Sequence, residues 1–212
     1  MDIIEHVKTC IQRAEAKQQS LPRDILEYTG YTGTKTRHFY NAICSLPNCS
    51  YLEIGTWYGS SSISALYGNT VNATFVDNWS EFNGNKDTLI RALEAFKGKS
   101  SYRLIEGDAW SIDHSDIGEF DVYLYDGAHT YSDQYKAISQ YKQHFKNNCI
   151  VMIDDWNWSD VQKGTLDAIR DNNLNVSFSH TILVPDQDRI GMPYHEGKHG
   201  WWNGIGIFVL SK

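Results

Sequence analysis

Short runs rich in β-branched and aromatic residues alternate along this chain with longer stretches whose apolar positions recur every three or four residues. The runs at 51–54, 73–77, 102–105, 121–125 and 149–153 predict five strands. Helical patterns lie between them. One is short and runs through Ile63 to Leu66. The next carries Leu89, Ile90, Leu93 and Phe96 on one face, and another covers 131–145 with Tyr135, Ile138 and Tyr141 in register. A further one covers about 160–170. Strictly alternating strands and helices imply a mainly parallel sheet covered on both faces. After 170 the pattern changes, because 176–184 and 205–210 are two consecutive strand-like runs with no helix between them. They are joined by a long polar and aromatic loop, 185–203, and consecutive strands of this kind are usually antiparallel neighbours. The expected fold is α/β, three layers around a mainly parallel seven-stranded sheet closed by a C-terminal antiparallel β-hairpin.

Ahead of the first strand, Ile3, Ile4, Val7 and Ile11 fall at the spacing of an amphipathic helix. Residues 28–37 mix glycines with hydroxyls and aromatics and read as a loop, a candidate lid, and 38–46 as a short helix. A single domain over 1–212 is expected, with N-terminal helices over 1–48 and the sheet core over 49–212.

Composition narrows the partners. The formal net charge of −7 disfavours phosphate backbones and anionic lipid, so neither nucleic acid nor a membrane surface is an expected partner. No apolar run approaches the ~20 residues that span a bilayer, and the charged N-terminus has no secretory pattern, which makes the cytoplasm the default compartment. The four cysteines, Cys10, Cys44, Cys49 and Cys149, form no C-x-x-C pair, so neither a disulfide framework nor a zinc site is expected. A small hydroxylated acceptor is easier to accommodate, and the oligomeric state stays open, a homodimer included.

Three motifs carry chemistry. Glu53-Ile54-Gly55-Thr56-Trp57-Tyr58-Gly59-Ser60-Ser61-Ser62 follows a strand and opens a helix, where glycines admit close backbone approach and helix-terminal N–H groups hold a polar ligand. Its G-x-x-x-G spacing departs from the dinucleotide fingerprint, and an ordinary strand-to-helix turn accounts for it equally well. Asp77 ends the second strand about 20 residues on, where an acid accepts ribose hydroxyls, although a helix cap or turn uses the same residue. Glu106-Gly107-Asp108-Ala109-Trp110 follows the third strand. There Asp108 could accept from an exocyclic amine and Trp110 could stack on a planar ring; a turn acid beside a core aromatic is the commoner outcome.

In order and spacing, Glu53-x-Gly55-x-x-x-Gly59, Asp77 and Gly107-Asp108-Ala109 resemble the donor-binding motifs of class I S-adenosylmethionine-dependent methyltransferases. The resemblance continues through Asp126-Gly127-Ala128-His129-Thr130-Tyr131 and Ile153-Asp154-Asp155-Trp156. It is strongest to small-molecule O-methyltransferases, including those of sugar and natural-product pathways. It implies a Rossmann-like three-layer sandwich and S-adenosylmethionine as cofactor. Gly55 and Gly59 would line the methionine portion with Glu53 supporting their turn, Asp77 would hold the ribose, and Asp108 would meet the adenine amine with Ala109 and Trp110 beside the ring. Thr56, Trp57, Ser60, Asn78 and Asp126 complete the implied donor pocket.

On the acceptor side, the resemblance implies that Asp126, Asp154 and Asp155 could bind a divalent ion. Three hard oxygen ligands suit Mg²⁺, or Ca²⁺ or Mn²⁺. Adjacent strand residues point to opposite faces, so Asp154 and Asp155 reach one ion only if the chain turns between them. Otherwise one of them caps the next helix. With Asp126 and Asp154, His129 is the candidate catalytic set, since free imidazole titrates near ~6.5 and could accept the proton of a hydroxyl. The 185–203 loop offers His195, His199, Trp201 and Trp202 for stacking on a ring. In the 28–37 loop, Lys35 and Arg37 are positioned to meet an acidic acceptor. A nucleotide-dependent oxidoreductase and a non-catalytic S-adenosylmethionine-binding module are the rival readings of the same architecture.

Overall fold

Apolar residues on alternate positions of the central strands divide between two cores, and the sheet lies between them. The computed structural model describes residues 2–18, 21–115, 117–185 and 199–212. In chain order the elements are α1 (Ile3–Glu15), α2 (Arg23–Leu26), α3 (Thr34–Ile43), β1 (Cys49–Ile54), α4 (Ser60–Leu66), β2 (Val71–Asp77), α5 (Lys86–Phe96), β3 (Ser101–Glu106), β4 (Phe120–Tyr125), α6 (Tyr131–Ser139), β5 (Phe145–Asp154), α7 (Ser159–Asp171), β6 (Asn175–Ile182) and β7 (Ile205–Ser211). Val122, Leu124, Ile150 and Met152 face the core under α1 to α5. Their neighbours Tyr123, Tyr125, Val151 and Ile153 face the core under α6 and α7. This is the period-two alternation of strands buried on both faces.

The sheet order is β3-β2-β1-β4-β5-β7-β6. The β1–β2, β2–β3, β1–β4 and β4–β5 pairs are parallel, whereas β7 pairs antiparallel with both β5 and β6. The expected α/β sandwich with its C-terminal antiparallel hairpin is therefore the observed one. The order reverses between β1 and β4, and at such a switch point the strand ends leave a crevice for a ligand.

Three local expectations change. The pattern over 131–145 divides: α6 ends at Ser139, a 3₁₀ turn covers Tyr141–His144, and β5 begins at Phe145. Tyr141 keeps its helical phase because it packs on Tyr123 in the core, with ring centroids 5.7 Å apart. Helix α3 starts at Thr34, inside the stretch expected to be a loop. Arg37 and Lys35 consequently sit on a helix and are already engaged. Arg37, 3 % exposed, donates to the carbonyls of Thr32, Ile25 and Tyr28 at 3.1, 2.5 and 2.8 Å. Burial pulls its pKa down to about 10, so it stays charged at neutral pH. Lys35 pairs with Glu15. Neither is free for an acidic acceptor; Arg37 instead ties down the strap over 25–32 that carries Tyr31 and Thr32.

The four cysteines are buried free thiols. Among the described residues no helix is long and apolar enough to cross a membrane. Most of the 185–203 loop, His195 included, lies outside the described residues. Of its remainder, His199 is exposed, whereas Trp201 is a core residue, 5 % exposed, whose indole donates to Glu15 at 2.6 Å. Trp201 is thus unavailable for stacking on a ligand.

Candidate active site

The crevice at the switch point is a cavity of about 400 Å³, within the ordinary range for a small-molecule site. Its floor is the glycine turn after β1. Gly55 has φ +86°, and a Cβ there would stand 2.1 Å from the carbonyl oxygen of Asp126. Only glycine lets β1 pass this close to the end of β4. Gly59, at φ +92°, is the N-cap of α4, and a Cβ there would stand 2.4 Å from Leu89 Cδ1. Gly59 shapes the turn from behind; it does not line the cavity. Glu53 is also excluded from the lining. Fully buried, it accepts from the Tyr51 hydroxyl at 2.9 Å and from Ser61 Oγ at 2.5 Å. Burial pushes its carboxyl up to about 7, against the pull of those hydroxyls. Glu53 therefore supports the turn from below.

The other expected donor residues, Gly55, Thr56, Trp57, Ser60, Asp77, Asn78, Asp108, Ala109, Trp110 and Asp126, all line the cavity. Asp77 organises the turn itself. Its Oδ2 accepts from the backbone N–H groups of Thr56 and Trp57, both at 2.7 Å, and from Thr56 Oγ1 at 3.3 Å. Its Oδ1 accepts, among the described residues, from Trp79 N alone, at 2.6 Å, and keeps acceptor capacity. Asn78 is turned to Ser80, accepting from its N–H and hydroxyl. Asp108 caps the turn to Trp110, whose ring lies 6.0 Å from Tyr125.

At the other end of the cavity three acids converge. β5 ends at Asp154, and Asp155 takes φ +53°, so the chain turns between them and both residues reach the same space. That left-handed residue lets both Asp154 and Asp155 line the cavity although they are adjacent in sequence. Asp154 and Asp155 are 3 % and 7 % exposed, and the Oδ1 atom of each is buried without a hydrogen-bond partner. Orphaned buried carboxylate oxygens are costly unless something fills the site. Desolvation, then repulsion from Asp154 and Asp155, pushes Asp126 well above the usual carboxylate range; desolvation, then Asp155, does the same to Asp154. Tyr40, a fully buried residue of α3, adds a hydroxyl that favours the charged form of Asp154. Among the described residues, however, no three acid, imidazole or thiol groups adopt a ready-made coordinating geometry.

His129 belongs to the same cavity. Its Nε2 lies 2.7 Å from Asp155 Oδ2, outside hydrogen-bonding alignment, and its ring is 4.7 Å from that of Trp158. All three candidate catalytic residues, Asp126, His129 and Asp154, are thus brought together beside the glycine turn.

Sequence reasoning picked out Trp57 and Trp202, which line the cavity, but missed Tyr31, Phe82 and Trp158, which complete its aromatic mouth. Tyr31 stacks on Trp57 at 4.6 Å, and Trp57 on Tyr58 at 4.0 Å. Tyr31 also meets Phe82 and Trp202, at 6.1 and 5.9 Å. Trp57, Phe82 and Trp202 hold left-handed backbones, as does Trp79, whose indole donates to Trp57 O. The available signal was single aromatics embedded in polar loops, Phe82 in Ser80-Glu81-Phe82-Asn83 and Trp158 in Asn157-Trp158-Ser159.

Comparison with known proteins agrees with this geometry. A family described as a methyltransferase domain matches residues 52–156, from β1 to the end of the acidic turn. No curated protein matches the chain in sequence. Among solved structures, a candidate O-methyltransferase from Klebsiella pneumoniae is 13% identical with a TM-score of 0.54, covering 100% of this chain and 91% of its own. A methyltransferase from Podospora anserina, solved with S-adenosylhomocysteine bound, is 13% identical with a TM-score of 0.56, covering 96% and 88%. A ribosomal protein L11 methylase from Lactobacillus delbrueckii subsp. bulgaricus is 15% identical with a TM-score of 0.55, covering 84% and 78%. The chain spans 51% and 48% of two longer neighbours. These likenesses show the fold, which an O-methyltransferase and a ribosomal protein methylase share.

Proposed function

The chain belongs to the class I S-adenosylmethionine-dependent methyltransferases, and we propose that it methylates a hydroxyl oxygen of a small molecule, sugars included, with help from a divalent cation. The observation that carries this reading is the placement of His129, Asp126, Asp154 and Asp155 on the same cavity as the glycine turn. The donor would lie across the strand ends: methionine portion over Gly55, ribose hydroxyls at the open side of Asp77 Oδ1, adenine between Asp108 and Trp110.

The acceptor oxygen attacks the methyl carbon in line with the sulfonium; the C–O bond forms, the C–S bond breaks, and its electron pair stays on sulfur as a thioether. The residues supply mainly alignment, an effect worth up to ~7–11 kcal/mol in favourable cases. His129 takes the hydroxyl proton, and Asp155 Oδ2 stabilises the imidazolium that results. Asp126, Asp154 and Asp155 are the residues that would hold the cation, and the unpartnered Oδ1 atoms of Asp154 and Asp155 fit that use. A divalent cation there would supply positive charge favouring the ionised hydroxyl; Mg²⁺ suits the oxygen ligands, with Ca²⁺ and Mn²⁺ as alternatives. Because no coordinating arrangement is preformed among the described residues, a metal-free version with His129 as base and Asp155 as its neighbouring counter-charge uses the same residues.

S-adenosylhomocysteine release, measured with a panel of small alcohols and phenols, tests the proposal. Turnover abolished by Asp154→Ala with donor affinity retained supports it, and loss on chelation with recovery on Mg²⁺ supports the cation. Turnover insensitive to chelation leaves the metal-free version. Turnover only with nitrogen acceptors, or undiminished by His129→Ala and Asp154→Ala, overturns the proposal.

A further inference from the structure

We infer that Tyr58, which does not line the cavity, is a positioning residue for the donor: it latches the loop after β2 against the turn after β1, and this latch sets how fast the nucleoside enters and leaves. The inference rests on the donor lying in this cavity as assigned above.

The loop over 78–84 runs between two fixed points. One is Asp77, at the end of β2; the other is Asn85, which caps α5 by accepting from Thr88 N at 2.9 Å. Asn78, Ser80, Glu81 and Phe82 of this loop line the cavity, and Gly55, Thr56 and Trp57 line it from the turn. A nucleoside held at Asp77 is enclosed by both segments. Little apolar burial secures the tip of the loop, where Phe82 is 67 % exposed. Closure depends instead on side-chain donors that cross between the segments in both directions. Trp57 Nε1 donates to Phe82 O at 3.2 Å, the Tyr58 hydroxyl to Asn83 O at 3.0 Å, and Trp79 Nε1 to Trp57 O at 3.0 Å.

The backbone works against these bonds. Trp57, Trp79, Phe82 and Asn83 have φ of +44°, +49°, +52° and +53°. Asparagine tolerates the left-handed region, but bulky aromatics rarely enter it. Such residues persist only where their surroundings over-determine them, and they cluster at ligand clamps and switch regions. The closed loop is therefore held by its cross-bonds against its own conformational preference. Segments with few buried contacts and this balance are the ones that open locally.

Tyr58 is the part of the latch that is separable from the ligand. Its ring stacks on Trp57 with centroids 4.0 Å apart and planes 11° apart, and its hydroxyl reaches Asn83 O. Neither Tyr58 nor Asn83 lines the cavity, so a donor inside touches neither partner of that bond. The bond is worth the same with or without donor. Its loss raises the open fraction of both forms equally, so entry and release accelerate by one factor and affinity stays. A residue that only shapes the pocket behaves differently: its loss speeds release and weakens affinity in step, with entry unchanged.

Stopped-flow mixing of the intact protein with S-adenosylhomocysteine separates these cases. Tryptophan fluorescence reports binding because Trp57 lines the cavity. The concentration dependence of the observed rate gives entry, its intercept gives release, and calorimetry gives affinity independently. Tyr58→Phe keeps the ring and removes only the hydroxyl. Losing one hydrogen bond between neutral groups should raise both rates together by about three- to tenfold, with the dissociation constant within about twofold of wild type. Trp79→Phe, also outside the lining, removes the bond to Trp57 O and should move both rates in the same sense. It decides the matter should Tyr58→Phe fail to fold. Rates that do not rise together, whether both stay unchanged or release alone rises as affinity falls, overturn the inference and leave the donor assignment standing. Failure of the wild-type protein to bind S-adenosylhomocysteine overturns the donor assignment and the inference with it.

Discussion

Replacing Asp77 by asparagine should loosen the whole donor turn, and the structure sets the size of the effect. The carboxylate accepts two backbone N–H bonds at 2.7 Å from Thr56 and Trp57 through Oδ2, and one at 2.6 Å from Trp79 through Oδ1. Asparagine has one acceptor oxygen. If it faces Thr56 and Trp57, its NH₂ group points at the Trp79 N–H, donor against donor; flipped, it opposes two donors. The better orientation loses one hydrogen bond to a charged group, worth ~1.5–3 kcal/mol, and weakens two others by removing the charge. A loss of about 3 kcal/mol follows, which for a chain of this size corresponds to roughly 6–12 °C in the unfolding midpoint. Thermal and urea unfolding without donor measure it, and calorimetry with S-adenosylhomocysteine shows whether donor affinity falls in parallel. An asparagine variant that unfolds together with the wild type would refute the claim that Asp77 builds the turn.

Other perturbations have equally defined outcomes. Gly55→Ala forces a left-handed alanine whose Cβ would stand 2.1 Å from Asp126 O, so it should cost about 2–5 kcal/mol of stability and abolish donor binding, both read on the same two instruments. Glu53 has a folded-state pKa of about 7 against 4.5 for the free group; folding therefore favours its protonated form. That stabilising contribution is complete below about pH 4.5 and is lost as pH rises through about 7, amounting to about 3 kcal/mol. Glu53→Gln should remove this part of the pH dependence and be more stable than the wild type at pH 8, as checked by urea midpoints from pH 5 to 8. Arg37→Met leaves the carbonyls of Ile25, Tyr28 and Thr32 without their donor; a loss of about 2–4 kcal/mol and a raised acceptor KM are expected, with S-adenosylhomocysteine affinity changed far less.

The elements that carry the donor motifs were legible because each is set by local signals: short runs rich in β-branched and aromatic residues for β1 to β5, glycines for the turn, an acid at the strand end. The hairpin was legible for the same reason, since no helical period separates β6 from β7. What stayed hidden depends on contacts between distant segments. Nothing near Arg37 in sequence indicates that three carbonyls of the preceding strap will enclose it, so its charge reads as available for a ligand. Trp201 reads as a stacking residue until Phe39 and Glu15, far away in the chain, bury it. The aromatic mouth is assembled from Tyr31, Phe82, Trp158 and Trp202 on four separate loops, and no single window contains more than one of its walls. Asp155 is the intermediate case: the need for a turn after Asp154 was evident from strand geometry, but its left-handed φ was not.

The most direct measurement of the central claim is a crystal structure of the protein grown with S-adenosylhomocysteine. Density for adenine beside Trp110, ribose against Asp77 and the thioether over Gly55 is the predicted result. Nucleoside density elsewhere, or the crevice after β1 filled by side chains in the presence of saturating ligand, would contradict it.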